Sequence, residues 1–511
     1  MTIGRRAFLA GLGGFAATPA LIPSPARAQI SIADGITAGD VTPSSAVVWA
    51  RTSNTSRMIV DWSTEESFRN AQHIEGPIAT ARNGNVAQTV LDGLPSGKEI
   101  FYRVRFKTQG GGASAPATGR LVTPGEGRDL SFVFGGDQCG AGWGINPDWG
   151  GLRIFKTMLD TRPDFLIHLG DRIYADRIIH DEIRLPDGRR WRNIVTPAKK
   201  VVAESLDLFR GNYSYNFIDE HYRRFSAQVP MIATWDDHEV MNNWWPGRRL
   251  TWKEMHRKGY GIKDTTPLVE WGRQAFFEFT PMRRNDTDPD RIYRKVPCGP
   301  LADVFMLDGR SYRGPNDRNR DRFGSENTQM LGPAQIEWLK NELQKSKAVW
   351  KIIANPQPIA HVRKRPAPRY DQWANGDHGA PLGRELEIAD ILTFIKRQGI
   401  QNTVWLAADV HYSAAFQFDP NRAAFRDFLP FWEFVSGPFH ARPGRVRHFD
   451  KTFGAERQFR TLVPQGSNAP PMDGFLYFGH ARINAQTGSL RVTIRDLNDR
   501  TLFSRTLEPA S

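Results

Sequence analysis

The sequence predicts two folded units, a β-sandwich at residues 30–128 and a larger α/β domain at residues 129–511. Three observations support this prediction. The chain has 511 residues, which is long for one domain and ample for a large apolar core. Residues 30–128 contain short β-type runs between turn residues. From residue 130 onward, apolar strand-like runs alternate with helical segments, which is typical of a layered α/β domain.

Residues 1–28 resemble a twin-arginine export signal. They contain Arg5, Arg6 and Arg27 but no acidic residue, and an apolar stretch leads to a small-residue cleavage site at residues 26–28. The resemblance implies recognition by the twin-arginine export machinery and a periplasmic or secreted protein; an amphipathic arm or uncleaved anchor is the alternative. No other apolar run approaches the ~18 residues that a membrane span requires, so we expect no span after processing.

The predicted sandwich contains four clear strand patterns. In the last of them, Tyr102, Val104 and Phe106 alternate with arginines, which predicts a strand with one solvent-facing side. Residues 91–106, with Gly93-Leu94-Pro95 before Tyr102, resemble the E to F corner of fibronectin type III and other immunoglobulin-like sandwiches. The four patterns are residues 46–50, 58–62, 87–91 and 101–106.

The α/β domain shows strand patterns, helix patterns and insertions. Helices are expected at residues 151–160 and 333–344; in the latter, Ile336, Leu339 and Leu343 share one face. Insertions rich in Arg, Trp, Tyr and Gly are typical of binding loops or lids, and they lie at residues 175–224, 244–295 and 363–383. The strand patterns lie at residues 131–134, 165–169, 231–235, 301–307, 349–354 and 403–407.

Polar side chains follow several of these strands. The central stretch, residues 232–242, reads IATWDDHEVMN, and residues 164–174 and 403–413 have the same design. Because the carboxyl ends of parallel strands meet at one edge of a sheet, we expect these side chains to converge. Asp409 and His411, two positions apart in an extended segment, point the same way. The candidate residues are Asp137, Asp171, Tyr174, Asp237, His238, Asn355, Asp409 and His411.

This mixture of carboxylate, imidazole, phenolate and amide groups predicts a metal site. Such ligands suit iron, manganese, zinc, magnesium or calcium. Two metals would share a bridging carboxylate and relieve the repulsion among clustered aspartates. The zincin motif HExxH fails because position 242 is Asn, no GxSxG motif occurs, and residues 93–98 are one residue short of a P-loop. A glycosidase with a carboxylate pair would leave Tyr174, Asn355 and His411 without roles.

The net charge indicates the kind of partner, and the cysteine content limits the possible disulfides and zinc clusters. The formal net charge of +13 falls to +10 when residues 1–28, with three arginines and no acids, are removed. This excess favours anionic partners, yet no basic-aromatic module for sequence-specific nucleic-acid binding is evident. Cys139 and Cys298 could pair, but two cysteines make neither a disulfide framework nor a zinc cluster.

The motifs together resemble the alkaline phosphatase D (PhoD-like) family of metallophosphoesterases and, more distantly, purple acid phosphatases. The strings LGDRIYAD, TWDDHEV and ADVHYS are the most specific, and the resemblance covers nearly the whole mature chain. It implies an αββα sandwich as the catalytic domain. It also implies an exported hydrolase that cleaves phosphodiesters, phosphomonoesters or both, including polymeric esters, through a metal-bound hydroxide.

The resemblance also implies a dinuclear centre that holds iron with calcium or another divalent cation. Asp171 would bridge the metals. One metal would be bound by Asp137, Tyr174 and either His411 or Asp409, and the second by Asp237, Asn355 and the other of that pair. His238 would be the general acid or an electrostatic partner of the phosphoryl oxygen. Arg172 would hold a nonbridging phosphate oxygen, with a surface salt bridge as the alternative.

One departure from the family pattern concerns the first strand end. The family reads FASCQ there, with cysteine as an iron ligand, whereas this chain reads FGGDQ. We therefore expect Asp137 to take the place of the cysteine, with Cys139 as the alternative ligand. The alternative function is a secreted protein that binds an anionic polymer and carries structural metals.

Overall fold

The computed structural model describes residues 30–362, 371–444, 448–463 and 468–510. The export signal expected at residues 1–28 lies outside these residues, as does part of the third expected insertion. Among the described residues, no helix has both the length and the apolar character to cross a membrane.

The amino-terminal unit consists of two β-layers around an apolar core. Strands β1, β2 and β5 form one layer, and the other has the order β4-β3-β6-β7. Val48 of the first layer and Val60 and Tyr102 of the second are buried in the shared core. The four expected strand patterns lie within β2, β3, β5 and β6. The strand bounds are β1 (Ile32–Thr42), β2 (Ser45–Thr52), β3 (Ser56–Ser63), β4 (Gln72–Ala79), β5 (Val86–Asp92), β6 (Glu99–Lys107) and β7 (Ala117–Val122).

The remaining strands contribute to two large sheets and form two small antiparallel pairs, β10 with β11 and β16 with β20. All six strand patterns expected in this part of the chain are confirmed, to within a residue or so at each end. The bounds are β8 (Leu130–Gly135), β9 (Phe165–Leu169), β10 (Glu182–Arg184), β11 (Arg190–Arg192), β12 (Met231–Thr234), β13 (Arg294–Cys298), β14 (Ala302–Met306), β15 (Trp350–Ala354), β16 (His361–Val362), β17 (Thr403–Ala407), β18 (Ala414–Phe418), β19 (Phe431–Val435), β20 (His448–Phe449), β21 (Ala455–Arg460), β22 (Tyr477–Ile483), β23 (Leu490–Asp496) and β24 (Thr501–Leu507).

Seven α-helices lie in the described residues. Both expected helices are present, as α1 and α6. The insertion that follows β9 carries α2 and α3, and the insertion that follows β12 carries α4 and α5. The bounds are α1 (Arg153–Asp160), α2 (Leu206–Asn216), α3 (Glu220–Gln228), α4 (Trp252–Lys258), α5 (Thr266–Phe279), α6 (Pro333–Lys345) and α7 (Glu385–Arg397).

The first large sheet joins the amino-terminal unit to the rest of the chain. Its order is β24-β23-β22-β8-β9-β12-β1-β2-β5, and β1 pairs in parallel with β12 through Gly39 and Met231. A side chain at position 39 would bring a Cβ atom within 2.1 Å of the Pro281 carbonyl oxygen, so the pairing requires glycine. The two units expected from the sequence therefore share a sheet, and their bounds at residues 128 and 129 stay a prediction.

The second large sheet packs against the first. Its order is β13-β14-β15-β17-β19-β18-β21, and β14, β15, β17 and β19 run parallel. Residues such as Ile167 and Ile232 of the first sheet share an apolar core with Val304 and Ile352 of the second. Helices α1, α2, α3 and α5 cover the other face of the first sheet, and α6 and α7 cover that of the second. The order of layers is therefore helix, sheet, sheet, helix.

Candidate metal centre

Five parallel strands, from both sheets, end in a carboxylate or amide side chain. Asp137 lies two residues beyond β8, Asp171 two residues beyond β9, and Asp237 three residues beyond β12. In the second sheet, Asn355 directly follows β15, and Asp409 lies two residues beyond β17. Because the strands are parallel and the sheets pack face to face, these residues meet at one edge of the molecule.

The backbone at these strand ends adopts an uncommon conformation. Asp137, Asp171, Asp409 and His411 have φ angles of 59°, 55°, 63° and 57°, all in the left-handed region. Residues other than glycine adopt this region at a cost in free energy, and such strain clusters at functional sites. The chain therefore turns sharply at each of these positions.

The side chains form three overlapping groups with the spacing of metal ligands. In each group, one potential ligand atom from every residue lies within 4.8 Å of the others. Asp171 belongs to the first two groups and Asp237 to the second and third, so these two residues link all three. The groups are Asp137 with Asp171 and His411; Asp171 with Asp237 and His238; and Asp236 with Asp237 and Asp409.

Several carboxylate oxygens at this edge are buried without a hydrogen-bond donor. Both oxygens of Asp137, Oδ2 of Asp171 and Oδ1 of Asp237 accept no well-aligned hydrogen bond from the described residues. The second oxygens of the latter two are satisfied: Oδ1 of Asp171 accepts from the backbone N–H of His238 at 3.1 Å, and Oδ2 of Asp237 from that of Asn243 at 2.6 Å. Buried acceptors without donors are costly, and cations would satisfy them. The donor set therefore fits metal ions.

Electrostatics supports the same conclusion. Burial raises the pKa of Asp137 well above its ordinary value, and the carboxylates of Asp409 and Asp237 raise it further. Burial likewise raises the pKa of Asp171, with Asp237 adding to the effect, and that of Asp409, with Asp236 adding to it. A cation among these carboxylates would stabilise their ionised forms.

Tyr174 and His411 meet on the side of Asp137. The Tyr174 hydroxyl is 3.0 Å from Nε2 of His411, and that nitrogen is 3.7 Å from Oδ1 of Asp137. Nδ1 of His411 donates to the Arg442 carbonyl at 2.6 Å, which turns Nε2 toward the carboxylates. Tyr174 is fully buried, and burial together with nearby Asp171 raises its pKa well above the usual value.

His238 is held by a residue that the sequence reasoning did not select. Its Nδ1 donates to Oδ1 of Asp176 at 2.5 Å, while its Nε2 is 3.7 Å from Oδ1 of Asp237. The ring lies against Tyr174, with 4.3 Å between the ring centroids. Asp176 is the last residue of the string LGDRIYAD. Its place in that specific motif could have identified it as a candidate site residue.

Asp236 is a second residue that the sequence reasoning left without a role. Its Oδ1 accepts from Nε of Arg310 at 2.6 Å, and its Oδ2 is buried without a donor among the described residues. Burial raises the pKa of Asp236 to about 8, although Arg310 opposes the shift. The doubled aspartate in TWDDHEV was the signal for it.

Asn355 lies at the same edge and is buried. Its Nδ2 donates to the Gln357 carbonyl, while its Oδ1 has no donor among the described residues. The amide oxygen is therefore available as a metal ligand, as the sequence suggested.

Arg172 and Cys139 belong to none of the three groups of potential ligands and contact other parts of the chain. The Arg172 guanidinium is buried and donates to Oγ1 of Thr280 at 2.7 Å and to the Phe279 carbonyl at 3.1 Å, at the end of α5. The alternative of a surface salt bridge is therefore wrong, and a role in substrate binding stays a prediction. The Cys139 thiol contacts the Trp143 carbonyl at 3.8 Å, and it is not paired with Cys298.

Comparisons with known proteins point to one family. The family model described as PhoD-like phosphatase matches residues 132–494, and the one described as PhoD-like phosphatase, N-terminal domain, matches residues 16–125. Alkaline phosphatase D of Bacillus subtilis (strain 168) is 27% identical over 406 residues, which cover 75% of this chain. The match spans 64% of that relative, which is less than two thirds of its length.

Two solved structures share the fold. The structure of PhoD has a TM-score of 0.66 at 19% sequence identity, with 96% of this chain and 94% of that chain covered. The purple acid phosphatase PPD1 from yellow lupin (Lupinus luteus) seeds has a TM-score of 0.60 at 12% identity, with 93% and 73% covered. The PhoD-like phosphatase model covers more than half of the sequence, and its region contains every candidate ligand described above. The chain therefore belongs to the PhoD-like phosphatase family.

Proposed function

We propose that this chain is an exported metal-dependent phosphoesterase that acts in the periplasm or outside the cell on phosphodiesters, phosphomonoesters or both. The observation that carries the proposal is the set of buried oxygens without donors at the strand ends: carboxylate oxygens of Asp137, Asp171 and Asp237 after strands of the first sheet, and the amide oxygen of Asn355 after a strand of the second. Family membership supports the reaction class. The positive net charge of +13 is consistent with an anionic ester, including a polymeric one.

The proposed centre is dinuclear and holds iron with calcium or another divalent cation. Asp171 is the proposed shared ligand, because it groups with Asp137 and His411 on one side and with Asp237 on the other. Asp137, Tyr174 and His411 would complete the first site, and their short separations favour His411 over Asp409 there. Asp237, Asp409 and Asn355 would form the second site, with Asp236 as a further candidate.

The metals would supply an activated water and neutralise the charge that develops on the phosphoryl group. His238 is the proposed general acid, since its Nε2 faces the carboxylates and could deliver a proton to the leaving oxygen. His238 also lies in a group with ligand spacing, so the metal content of His238→Ala separates the two roles. We also propose that the amino-terminal unit is a fibronectin-like or immunoglobulin-like sandwich, which its three-stranded and four-stranded layers support.

The test measures the metal content of the natively exported protein together with hydrolysis of bis(p-nitrophenyl) phosphate and p-nitrophenyl phosphate before and after chelation. Two or more bound metals and hydrolysis abolished by chelation are expected, and the preferred ester would identify the substrate class. Metal-loaded protein that binds an anionic polymer but cleaves neither ester would favour the binding-protein alternative. Hydrolysis that survives complete chelation would contradict the metal-dependent mechanism.

A further inference from the structure

The loops around the candidate metal centre carry the most exposed apolar side chains of the described residues. Phe323, Trp252 and Leu462 are 83%, 77% and 69% exposed, whereas no other large apolar residue in the described part of the chain exceeds 47%. The next two, Val201 and Ile178, also belong to these loops. Single exposed apolar residues are ordinary, but apolar residues gathered around one site indicate an interaction surface.

Ile178 and Val201 are neighbours in the insertion that follows β9. Two backbone hydrogen bonds of 2.8 Å, one at each end, hold residues 175–179 against residues 199–203. Val201 is the middle residue of its segment and therefore lies across from the middle of the other, next to Ile178. The first segment follows Tyr174 directly, so this apolar pair lies beside the metal centre.

Helix α4 brings Trp252 to the same side of the centre. Nζ of Lys258, the last residue of α4, donates to the carboxylate of Asp176, which belongs to the segment at residues 175–179. Trp252 is the first residue of this seven-residue helix, so it lies ~9 Å further along the helix axis. One face of its indole stacks on the His256 ring, with 5.2 Å between the centroids, and the side chain is otherwise open to solvent.

Phe323 and Leu462 lie on the side of the second sheet. Phe323 belongs to the loop between β14 and α6, and this loop contacts the segment after β12, where Nδ2 of Asn316 donates to the Asn243 carbonyl at 3.1 Å. Leu462 follows β21, whose end is tied by a backbone hydrogen bond of 2.8 Å to Ser413, just before β18. The five apolar side chains therefore lie in loops on both sides of the centre.

The metal centre opens to solvent between these loops. The His411 side chain is 14% exposed and that of His238 is 8% exposed, whereas Asp137 and Asp171 are buried behind them. A surface that contacted the apolar side chains would therefore also lie over the mouth of the centre.

Cations accompany the apolar side chains. Residues 248–263, which include α4, contain six Lys or Arg residues and one acidic residue, Glu254. The loop with Phe323 is more balanced, with three arginines and two aspartates at residues 317–323. A negatively charged layer would be attracted to this surface. The exposed cations that form no ion pair with the described residues are Lys200, Lys253, Arg257, Arg318, Arg320 and Arg322.

We infer that these loops dock the protein on the surface of an anionic lipid bilayer, with Trp252, Phe323 and Leu462 entering the interface and the cations binding the phosphate headgroups. Exposed apolar and aromatic side chains combined with Lys and Arg are what binds such a surface, and Trp in particular favours the boundary between headgroups and hydrocarbon. The inference goes beyond the proposed ester hydrolysis and does not depend on which ester is cleaved.

The aliphatic members of the surface favour a bilayer over a dissolved anionic polymer. Aromatic side chains can stack on the bases of a single-stranded nucleic acid, but Ile178, Val201 and Leu462 can neither stack on bases nor bind phosphate. A bilayer offers both a layer of phosphates for the cations and a layer of hydrocarbon for the aliphatic side chains.

The experiment measures cosedimentation of the unaltered metal-loaded protein with two kinds of vesicle, at low and at high salt. One kind is phosphatidylcholine alone, and the other is an equal mixture of phosphatidylcholine and phosphatidylglycerol. We expect binding to the mixed vesicles to be at least about tenfold tighter, and to weaken at high salt, because each cation near an anionic surface contributes to binding.

Two sets of variants separate the apolar contribution from the charged one. Trp252→Ser should weaken binding to the mixed vesicles about tenfold, and the triple variant with Phe323→Ser and Leu462→Ser about 100-fold or more. Ile78→Ser is the control, because Ile78 is exposed in β4 of the amino-terminal unit. It should bind as the unaltered protein does.

The double variant Lys253→Gln with Arg257→Gln should weaken binding to the mixed vesicles about tenfold and leave binding to phosphatidylcholine unchanged. Lys98→Gln with Lys107→Gln removes two exposed lysines of the amino-terminal unit and should have no effect. Metal content and hydrolysis of soluble bis(p-nitrophenyl) phosphate should be the same in all variants, which shows that the fold and the centre are intact.

Absence of vesicle binding, equal binding to both kinds of vesicle, or a triple variant that binds like Ile78→Ser would overturn the inference. Salt-sensitive binding to a single-stranded oligonucleotide without binding to vesicles would overturn it in favour of a polymer. Vesicle binding is measured independently of hydrolysis. Protein that binds vesicles and cleaves no ester would therefore contradict the proposed function alone, and protein that cleaves esters without binding vesicles would contradict this inference alone.

Discussion

The Tyr174 hydroxyl lies 3.0 Å from Nε2 of His411, although the two residues are 237 positions apart in the chain. Tyr174 follows β9 in the first large sheet, and His411 follows β17 in the second. The candidate metal centre therefore depends on how the two sheets pack against each other, because neither sheet contributes all of its ligands.

Asp171→Asn tests the proposed bridging ligand. The substitution removes the charge of the carboxylate that links two groups, so we expect loss of bound metal and a fall in ester hydrolysis on the order of 1,000-fold. Metal analysis and the hydrolysis of bis(p-nitrophenyl) phosphate measure both effects. Asp207→Asn is the matched control, since 90% of that side chain is exposed. Unchanged metal content in Asp171→Asn would contradict the assignment.

Asp137→Asn and Cys139→Ala together identify the ligand at the first strand end. Asp137 lies with Asp171 and His411, whereas the Cys139 thiol faces the Trp143 carbonyl. We expect Asp137→Asn to lose metal and activity, by on the order of 100-fold or more, and Cys139→Ala to keep its metals. The reverse pattern would show that Cys139 is the ligand.

Tyr174→Phe tests both the phenolate ligand and the proposed iron. A phenolate bound to Fe(III) absorbs visible light by charge transfer, so the iron-loaded protein should be coloured and the variant should lose the absorption band. Tyr412→Phe is the control, because that buried tyrosine has its hydroxyl at 2.9 Å from Nδ1 of His361 instead. A band that persists in Tyr174→Phe would remove this residue from the proposed ligand set.

Arg310→Met should destabilise the fold. The Arg310 side chain is fully buried and donates to Asp236 at 2.6 Å and to Asp371 at 3.0 Å. Its removal would leave the Asp236 carboxylate buried without its charged partner, whereas Asp371 would keep Arg313 at 3.1 Å. The loss should lower the free energy of unfolding by about 3–5 kcal/mol. Chemical denaturation measures the change, with Arg320→Met, at an exposed position, as the control. A loss no larger than that of the control would show that the network contributes little to stability.

Glu433→Gln should change how stability depends on pH. Glu433 lies in β19, its Oε1 accepts from the Ile359 N–H at 2.9 Å, and burial raises its pKa from 4.5 to about 8. Between these two pKa values the folded chain holds a proton that the unfolded chain releases, so the free energy of unfolding attributable to this group falls as the pH rises.

The glutamine variant cannot ionise. The free energy of unfolding of the unaltered chain should therefore fall relative to that of Glu433→Gln as the pH rises from about 4.5 to about 8. Thermal or chemical denaturation at several pH values measures this difference. Glu456→Gln, with 54% of the Glu456 side chain exposed, should show no such trend. A flat difference for Glu433→Gln would mean that the group is ionised in the folded chain.

Local patterns in the sequence were sufficient to predict the strands that carry the site and the residues that follow them. An apolar run that breaks into Asp, His or Tyr specifies both the buried strand and the polar group at its end, as in β12 with Asp237 and His238. The convergence of these side chains could be predicted because all parallel strands present their carboxyl ends at one edge, whatever their exact order. The strings LGDRIYAD and TWDDHEV were informative because each contains the end of a strand and the polar residues that follow it.

Contacts between distant segments depended on the tertiary structure. No local sequence pattern predicts the pairing of β1 with β12, the contact of Lys258 with Asp176 or the ion pair of Arg310 with Asp236. Arg172 follows Asp171 directly, yet its guanidinium binds the end of α5, because the turn after β9 sends neighbouring side chains in different directions. Periodicity determines which face of a strand or helix is buried, whereas the packing of whole layers determines which distant side chains that face meets.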